Sequence, residues 1–187
     1  MARLSATLFM SLDGVVEVEA QDPTQWHFPF FDEPMGAAVA ATHAPGTMLF
    51  GRVTYDSFAG AWPAREAAGE EDAEFAAELG DKRKIVVSRS PLTFTWRNSE
   101  QAEGDLLDVA DALRAGDDDA FLTGSPSVVR QLIVAGRLDE LHVFVHPALL
   151  GRGTRLFPDD GELRLLRLVS SETFPRGVVH LVYAPAT

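Results

Sequence analysis

The strongest constraint on this chain is an alternation through its first two-thirds, in which short apolar stretches with strand character end at turn residues and lead into segments of helical spacing. Residues 6–10 form such a stretch and stop at Ser11-Leu12-Asp13-Gly14, where Asp-Gly marks a turn. Residues 47–50 pass through Gly51 into a short helical segment over 52–58, a strand-to-helix unit. Residues 84–88 read as another buried strand, residues 92–97 as a weaker one, and residues 106–115 carry apolar side chains at helical spacing. The run 120–123 then leads through Gly124-Ser125-Pro126 into a helix over 127–135, with Gly136 placed as its stop. After a strand over 138–145 the rhythm changes: two alternating runs, 163–174 and 178–184, flank Pro175-Arg176-Gly177 as a hairpin. Strands alternating with helices and closed by an antiparallel hairpin predict an α/β domain with a mixed sheet.

Two stretches fit that rhythm less well. Residues 15–31 have no clean period and gather Trp26, Phe28, Phe30 and Phe31 around Pro29, which reads as an irregular aromatic loop suited to lining a ligand site. Asp32-Glu33-Pro34 then opens a helix over 35–42. Residues 64–84 are charged and rich in Ala and Glu, an exposed helix or a loop.

Composition narrows the function classes. At 187 residues, with 46% hydrophobic content spread from end to end, one domain with its own core is the expectation. No stretch approaches the roughly 18 consecutive apolar residues that would cross a bilayer, and no apolar segment with a cleavage site opens the chain, so a cytoplasmic protein is expected. Sixteen Lys+Arg against 28 Asp+Glu leave a net charge of −12, which disfavours nucleic acid as a partner. There is no cysteine, so thiol nucleophiles, thiolate metal sites and disulfides are excluded together. His142 and His146 sit four residues apart on a strand, roughly 13 Å, too far to share one ion, and no metal is expected.

Three strand-to-turn junctions have the form of anion sites, because ligands of open α/β sheets collect at the carboxyl ends of parallel strands, where helix N-termini offer free N–H groups. In the first, Gly51 lets the backbone approach a ligand, Arg52 supplies charge and Thr54 a hydroxyl; the same residues also make an ordinary tight turn. In the second, Ser88 and Arg89 suit a phosphomonoester, against the plainer reading of a solvated arginine past a strand end. In the third, Gly124-Ser125-Pro126-Ser127 reads either as a helix start, with Ser125 as N-cap and Pro126 at N1, or as an anion site. No Gly-x-Gly-x-x-Gly or Walker motif occurs, so the two commonest nucleotide folds are disfavoured. Asp13 reads either as a turn residue or as a group that orients a substrate or relays a proton, and Trp26 either stacks on a flat ring or caps the core.

Taken in order, Ser11-Leu12-Asp13-Gly14, Gln25-Trp26, the run 49–55, the run 85–89, Leu122-Thr123-Gly124-Ser125, Gly136-Arg137-Leu138-Asp139-Glu140-Leu141 and the run 146–153 resemble the dihydrofolate reductase-like superfamily. Within it the resemblance is to the reductase domain of riboflavin biosynthesis, the RibD C-terminal domain, and its stand-alone bacterial relatives. It implies a three-layer fold with a mixed, mostly parallel sheet, NADPH bound across the strand ends, hydride transfer to a heterocycle and a homodimer. The reaction implied is most like that of 5-amino-6-(5-phosphoribosylamino)uracil reductase. By position, Gly51, Arg52 and Thr54 would meet the pyrophosphate and adjoining ribose, Ser88 and Arg89 the 2′-phosphate, and Gly124, Ser125, Ser127 and Val128 the other side of the pyrophosphate. Asp13 and Trp26 would face nicotinamide and substrate, with Asp13 or a water beside it passing the proton.

The chain departs from these relatives at three places. Asp56-Ser57-Phe58-Ala59-Gly60 stands where riboflavin reductases carry Asp-Asp-Pro or Asp-Asn-Pro, Gly124-Ser125 replaces a frequent Gly-Gly, and residues 35–42 hold no carboxylate where dihydrofolate reductase has one. A non-catalytic nucleotide-binding or regulatory homodimer on the same fold is the competing expectation.

Overall fold

A computed structural model describes residues 1–18, 26–69, 72–157 and 161–186. In chain order the elements are β1 Leu4–Ser11, β2 Val15–Glu17, α1 Glu33–Thr42, β3 Thr47–Gly51, α2 Arg52–Ala68, α3 Ala73–Asp81, β4 Arg83–Val87 and β5 Ser99–Gln101. They continue as α4 Leu106–Ala115, β6 Ala120–Thr123, α5 Pro126–Val134, β7 Glu140–His146, β8 Thr154–Arg155, β9 Leu166–Thr173 and β10 Val179–Pro185. Eight strands form one sheet in the order β5-β4-β3-β6-β1-β7-β10-β9, and β2 pairs with β8 separately. The pairings from β5 through β7 are parallel, and β10 and β9 close the sheet antiparallel.

The strand period of two sorts the sheet's side chains onto opposite faces, and each face is covered by helices. On one face Leu4, Ala6 and Leu8 of β1, Leu49 of β3 and Leu122 of β6 pack against Leu106 and Val109 of α4 and Val128, Val129 and Leu132 of α5. On the other, Met48, Phe50, Val86 and Phe121 pack under Tyr55 of α2, Leu79 of α3 and Trp96. Further along that second face Phe144, Phe174 and Val178 lie beneath Met35 and Val39 of α1. Burial of such side chains, roughly 1.5–3 kcal/mol each, holds the three layers together without a cross-link.

Local chemistry sets the element ends. Asp32 caps α1, its Oδ1 accepting the Met35 N–H at 3.0 Å, and Asp105 caps α4 by accepting from Leu107 and Asp108 at 2.9 and 3.0 Å. α5 stops in a Schellman turn: the Arg137 N–H reaches the Leu132 carbonyl at 2.8 Å and the Gly136 N–H reaches that of Ile133 at 3.1 Å. Gly136 takes φ +66°, the left-handed conformation that this turn needs and that glycine adopts without strain.

Four expectations change. Residues 92–97 are not a strand: Trp96 is buried against α2, its N–H meets the Tyr55 hydroxyl at 3.4 Å, and the Arg97 carbonyl is held by the Lys84 ammonium at 3.1 Å. Sheet pairing on that edge begins only at Ser99. Residues 64–84 resolve into the end of α2, the separate helix α3, whose Ala76 and Leu79 are buried, and the start of β4. The stretch 15–31 opens with the short strand β2 and, among its described residues, contains a 3-10 turn, Phe28–Phe30. The first arm of the hairpin pairs from Leu166 rather than from residue 163.

Candidate active site

The sheet has a topological switch between its neighbours β3 and β6. The helix that follows β3, α2, goes to one face, and the helix that follows β6, α5, goes to the other. Divergence of the two helices opens a crevice above the strand ends, the general ligand position of such sheets.

The two turns bordering this crevice are stitched together. The Gly51 N–H donates to Ser125 Oγ at 2.9 Å, and the Ser125 hydroxyl donates to Thr54 Oγ1 at 2.8 Å. Gly51 has no room for a side chain, because a Cβ there would lie 3.0 Å from Ser125 Oγ and 3.1 Å from a Val128 methyl. Gly124 and Ser125 both take positive φ, +83° and +57°. Ser125 therefore stands at the N-cap position of α5 without capping it; its hydroxyl is committed to the neighbouring turn instead. For a residue with a Cβ the left-handed conformation costs about 1 kcal/mol, and the two hydrogen bonds offset it.

Charge follows the same geometry. The helices α1, α3 and α4 carry Glu33, Glu74 and Asp108 in their first turns, whereas α2 and α5 carry no acid there. In a chain with 28 acidic residues, the two helix N-termini at the crevice are the ones left open to an anion. Arg52 stands at the first of them, exposed and 3.4 Å from Asp56.

One strand further out, Val87 of β4 is the register partner of Gly51, which sets Ser88 and Arg89 beside the first turn. Ser88 closes a small loop by accepting the Ser90 N–H at 3.2 Å and donating to the Ser90 carbonyl at 2.9 Å. Gln101 braces the loop, donating to the carbonyls of Ser88 and Ser90 and accepting the Leu92 N–H at 3.0 Å. The Arg89 side chain is exposed, and no ion pair engages it among the described residues.

On the other side of the crevice Asp13 is fully engaged. Its Oδ1 accepts from the Ser11 hydroxyl at 2.6 Å and from Leu150 N–H at 3.1 Å, and its Oδ2 accepts from Gly151 N–H at 2.7 Å. The Ser11 hydroxyl first, then the two backbone donors, holds the carboxyl down at about 2, so Asp13 is an anion that pins the segment after β7 to the turn after β1.

Trp26 stands edge-on to His146, ring centres 5.1 Å apart, within a group of rings that includes Phe9, His27 and Phe30. Gln25 lies outside the described residues. His146, the last residue of β7 and register partner of Ser11, is fully buried. Its Nδ1 lies 2.9 Å from the Phe144 carbonyl, which assigns the proton to Nδ1, and its Nε2 is buried without a hydrogen-bond partner among the described residues. The Met10 carbonyl faces the ring without reaching hydrogen-bond geometry. Burial lowers the pKa of His146, and burial together with the neighbouring His146 takes His27 down to about 4. Asp32, the cap of α1, likewise keeps its Oδ2 buried and without a partner among the described residues. The patterns in the sequence did not single out His27 or His146 as site residues, because a lone imidazole, before a turn or at a strand end, carries no motif.

His142, by contrast, has its partners on its own and the neighbouring strand. Its Nδ1 lies 3.1 Å from His180 Nε2 on β10, and its Nε2 lies 3.5 Å from Glu140. Among the described residues no three His, Asp or Glu side chains come together as a metal site.

The strand ends thus carry, in sheet order, Ser88 and Arg89, then Gly51, Arg52 and Thr54, then Gly124, Ser125, Ser127 and Val128, then Asp13, and finally Trp26 and His146. Four strand spacings of roughly 4.8 Å make this row about 19 Å long, a track for an extended ligand.

This architecture is the dihydrofolate reductase-like fold, and the chain matches the RibD C-terminal domain family over residues 2–180. It belongs to that family. An uncharacterized protein of Bacillus subtilis (strain 168), YyaP, is 28% identical over 181 residues, covering 97% of this chain and 94% of that one. Among solved structures, a putative riboflavin biosynthesis protein from Shewanella sp. PV-4 superimposes with TM-score 0.73 at 18% identity, with all of both chains covered. Dihydrofolate reductase from Enterococcus faecalis, complexed with NADP(H) and RAB-propyl, superimposes with TM-score 0.63 at 15% identity, covering 99% of this chain and 97% of that one. No helix among the described residues is long and apolar enough to cross a membrane.

Proposed function

We propose that this protein is a cytoplasmic NADPH-dependent reductase that transfers hydride to a planar heterocycle, most like 5-amino-6-(5-phosphoribosylamino)uracil reductase. The observation that carries the reading is the laced pair of turns at the topological switch. Gly51 is cleared of any Cβ by Ser125 and Val128, and the helix N-termini on both sides of it are free of acid in their first turns. Those residues fit a dinucleotide's pyrophosphate, with Arg52 and Thr54 on one side and Gly124, Ser127 and Val128 on the other. The guanidinium of Arg89, without an ion pair among the described residues, fits a 2′-phosphate beside Ser88, which is the chemical difference between NADPH and NADH.

The bound nicotinamide supplies the hydride, and the protein's share is alignment and exclusion of water. Asp13 serves this by anchoring Leu150 and Gly151 against the turn after β1, so that the floor of the substrate side keeps its shape. With all three contacts made to its anionic form, it acts as a positioning residue and not as the acid. Trp26, with His27 and Phe30, forms the aromatic wall for a flat substrate.

A second copy of the chain completes the molecule in this reading. The outermost strand β9 exposes Leu166, Leu168 and Val169, next to the exposed Leu163 and Leu165, an apolar edge that a partner would cover.

The test is a titration of the purified protein with NADPH and, in parallel, NADH. Selective binding of NADPH supports the reading. Failure to bind either nucleotide would overturn it.

A further inference from the structure

Among the described buried polar groups of the aromatic wall, His146 stands apart, because half of its hydrogen-bonding capacity is spent and the other half is stranded. Nδ1 is satisfied by the Phe144 carbonyl, while Nε2 has no hydrogen-bond partner among the described residues although the residue is fully buried. A buried acceptor left unmade is costly, the Met10 carbonyl that faces the ring has no proton to give it, and native structures keep such groups where something else meets them. The position is informative as well. His146 ends β7 at the same edge as the crevice, and its register partner Ser11 holds Asp13. The ring is surrounded by Trp26 at 5.1 Å, Phe9 at 5.5 Å, Phe30 at 5.8 Å and His27 at 6.3 Å between centres, all meeting it edge-on.

We propose that His146 is a specificity-determining residue whose Nε2 accepts a hydrogen bond from a ring N–H of a planar heterocyclic substrate seated among Trp26, His27 and Phe30. The proposal rests on the reductase reading for the identity of the site and extends it by naming the chemical feature the site selects. Flat rings favour a flat ligand. A lone acceptor within them favours a lactam or amine N–H over an N-alkylated ring, which would leave Nε2 stranded and add a clash. Burial keeps the imidazole neutral, so the acceptor is present throughout the neutral range. Because the His146 ring is fully buried, the proposal requires Trp26, half-buried and edge-on to it, to turn aside for the ligand.

A matched pair of probes tests this: lumazine, which carries ring N–H groups, and 1,3-dimethyllumazine, which has the same fused ring with those positions methylated. Binding of each is measured by fluorescence to wild type and to His146→Phe, with and without saturating NADPH. Wild type is expected to bind lumazine at least about tenfold more tightly than the dimethyl compound, and His146→Phe to bring that ratio close to one. NADPH affinity is expected to be equal in the two proteins, which certifies that the variant folds. In wild type, lumazine should also shift the 15N resonance of His146 Nε2 while Nδ1 stays protonated. Equal binding of the two probes by wild type, an undiminished ratio in His146→Phe, or failure of wild type to bind lumazine at all would each overturn the proposal. Absence of NADPH binding would instead strike the reductase reading, and the titrations without nucleotide would still decide the role of His146.

Discussion

The hydroxyls of Ser125 and Thr54, 71 positions apart in the chain, lie 2.8 Å from each other and tie the turn after β6 to the turn after β3. Because α2 and α5 leave these turns toward opposite faces, the bond sets the mouth of the crevice. Ser125→Ala removes both of its hydrogen bonds and keeps the left-handed backbone, so a stability loss of about 2 kcal/mol is expected. Ser125→Gly loses the same bonds while relieving the backbone, and the loss should be about 1 kcal/mol smaller. Urea denaturation of the two variants measures the difference; equal losses would refute backbone strain at Ser125.

Gly51→Ala places a methyl 3.0 Å from Ser125 Oγ and 3.1 Å from Val128, in the gap assigned to the pyrophosphate. The variant should lose at least about tenfold in NADPH affinity while remaining folded, because the turn's φ of −81° suits alanine. Calorimetric titration checks this, and an affinity equal to that of wild type would remove Gly51 from the cofactor site.

Arg89→Ala separates the two nucleotides. Loss of a guanidinium–phosphate contact should weaken NADPH by about tenfold to a hundredfold and leave NADH nearly unchanged. Equal weakening of both would take Arg89 away from the 2′-phosphate.

Asp13 sets an acid limit. Its pKa in the folded protein, about 2, lies below the ordinary 3.8, so the anchor's contribution is complete above about 3.8 and is lost as pH falls through about 2. Carboxyl 13C NMR should therefore find Asp13 still ionised at pH 3. In Asp13→Asn the amide can keep at most one of the two N–H bonds from Leu150 and Gly151, and kcat should fall while NADPH affinity holds. A midpoint near 4 would break this account.

Lys84 is buried, with its ammonium donating to the carbonyls of Gly80, Lys82 and Arg97 and resting 4.2 Å above the centre of the Trp96 ring. Burial first, then the nearby Arg97, lowers its pKa to about 8 from 10.5. The unfolded chain therefore holds the extra proton between these values, and this group makes stability rise as pH goes from about 8 to 10.5. Lys84→Met should abolish that slope and cost about 2 kcal/mol through three abandoned carbonyls. Denaturation at pH 7 and pH 10 tests both.

Much of this could be read along the chain, because local chemistry settles it. Apolar runs such as 47–50 and 120–123 make strands wherever they are buried, Asp32 opens the helix that follows it, and Gly136 stops α5. The three strand-end turns could be picked out as candidate anion sites for the same reason, since glycines and hydroxyl residues at such junctions have local uses. The segment 92–97 went the other way: its strand-like spacing yielded to the aromatic contacts of Trp96 and to the Lys84 ammonium, which came from elsewhere in the chain.

What the sequence determined by itself is therefore most of the strands and helices, the mixed sheet and the places where glycines and hydroxyl residues meet strand ends, all of which follow from neighbours a few positions apart. Only the tertiary structure decided that Ser125 abandons its helix for Thr54, that Asp13 is saturated by Leu150 and Gly151, and that His146 is buried with one nitrogen unmet. Each of these depends on which strands lie side by side, and strand order is set by packing over the whole sheet, a sum of many weak burial terms that no local pattern records.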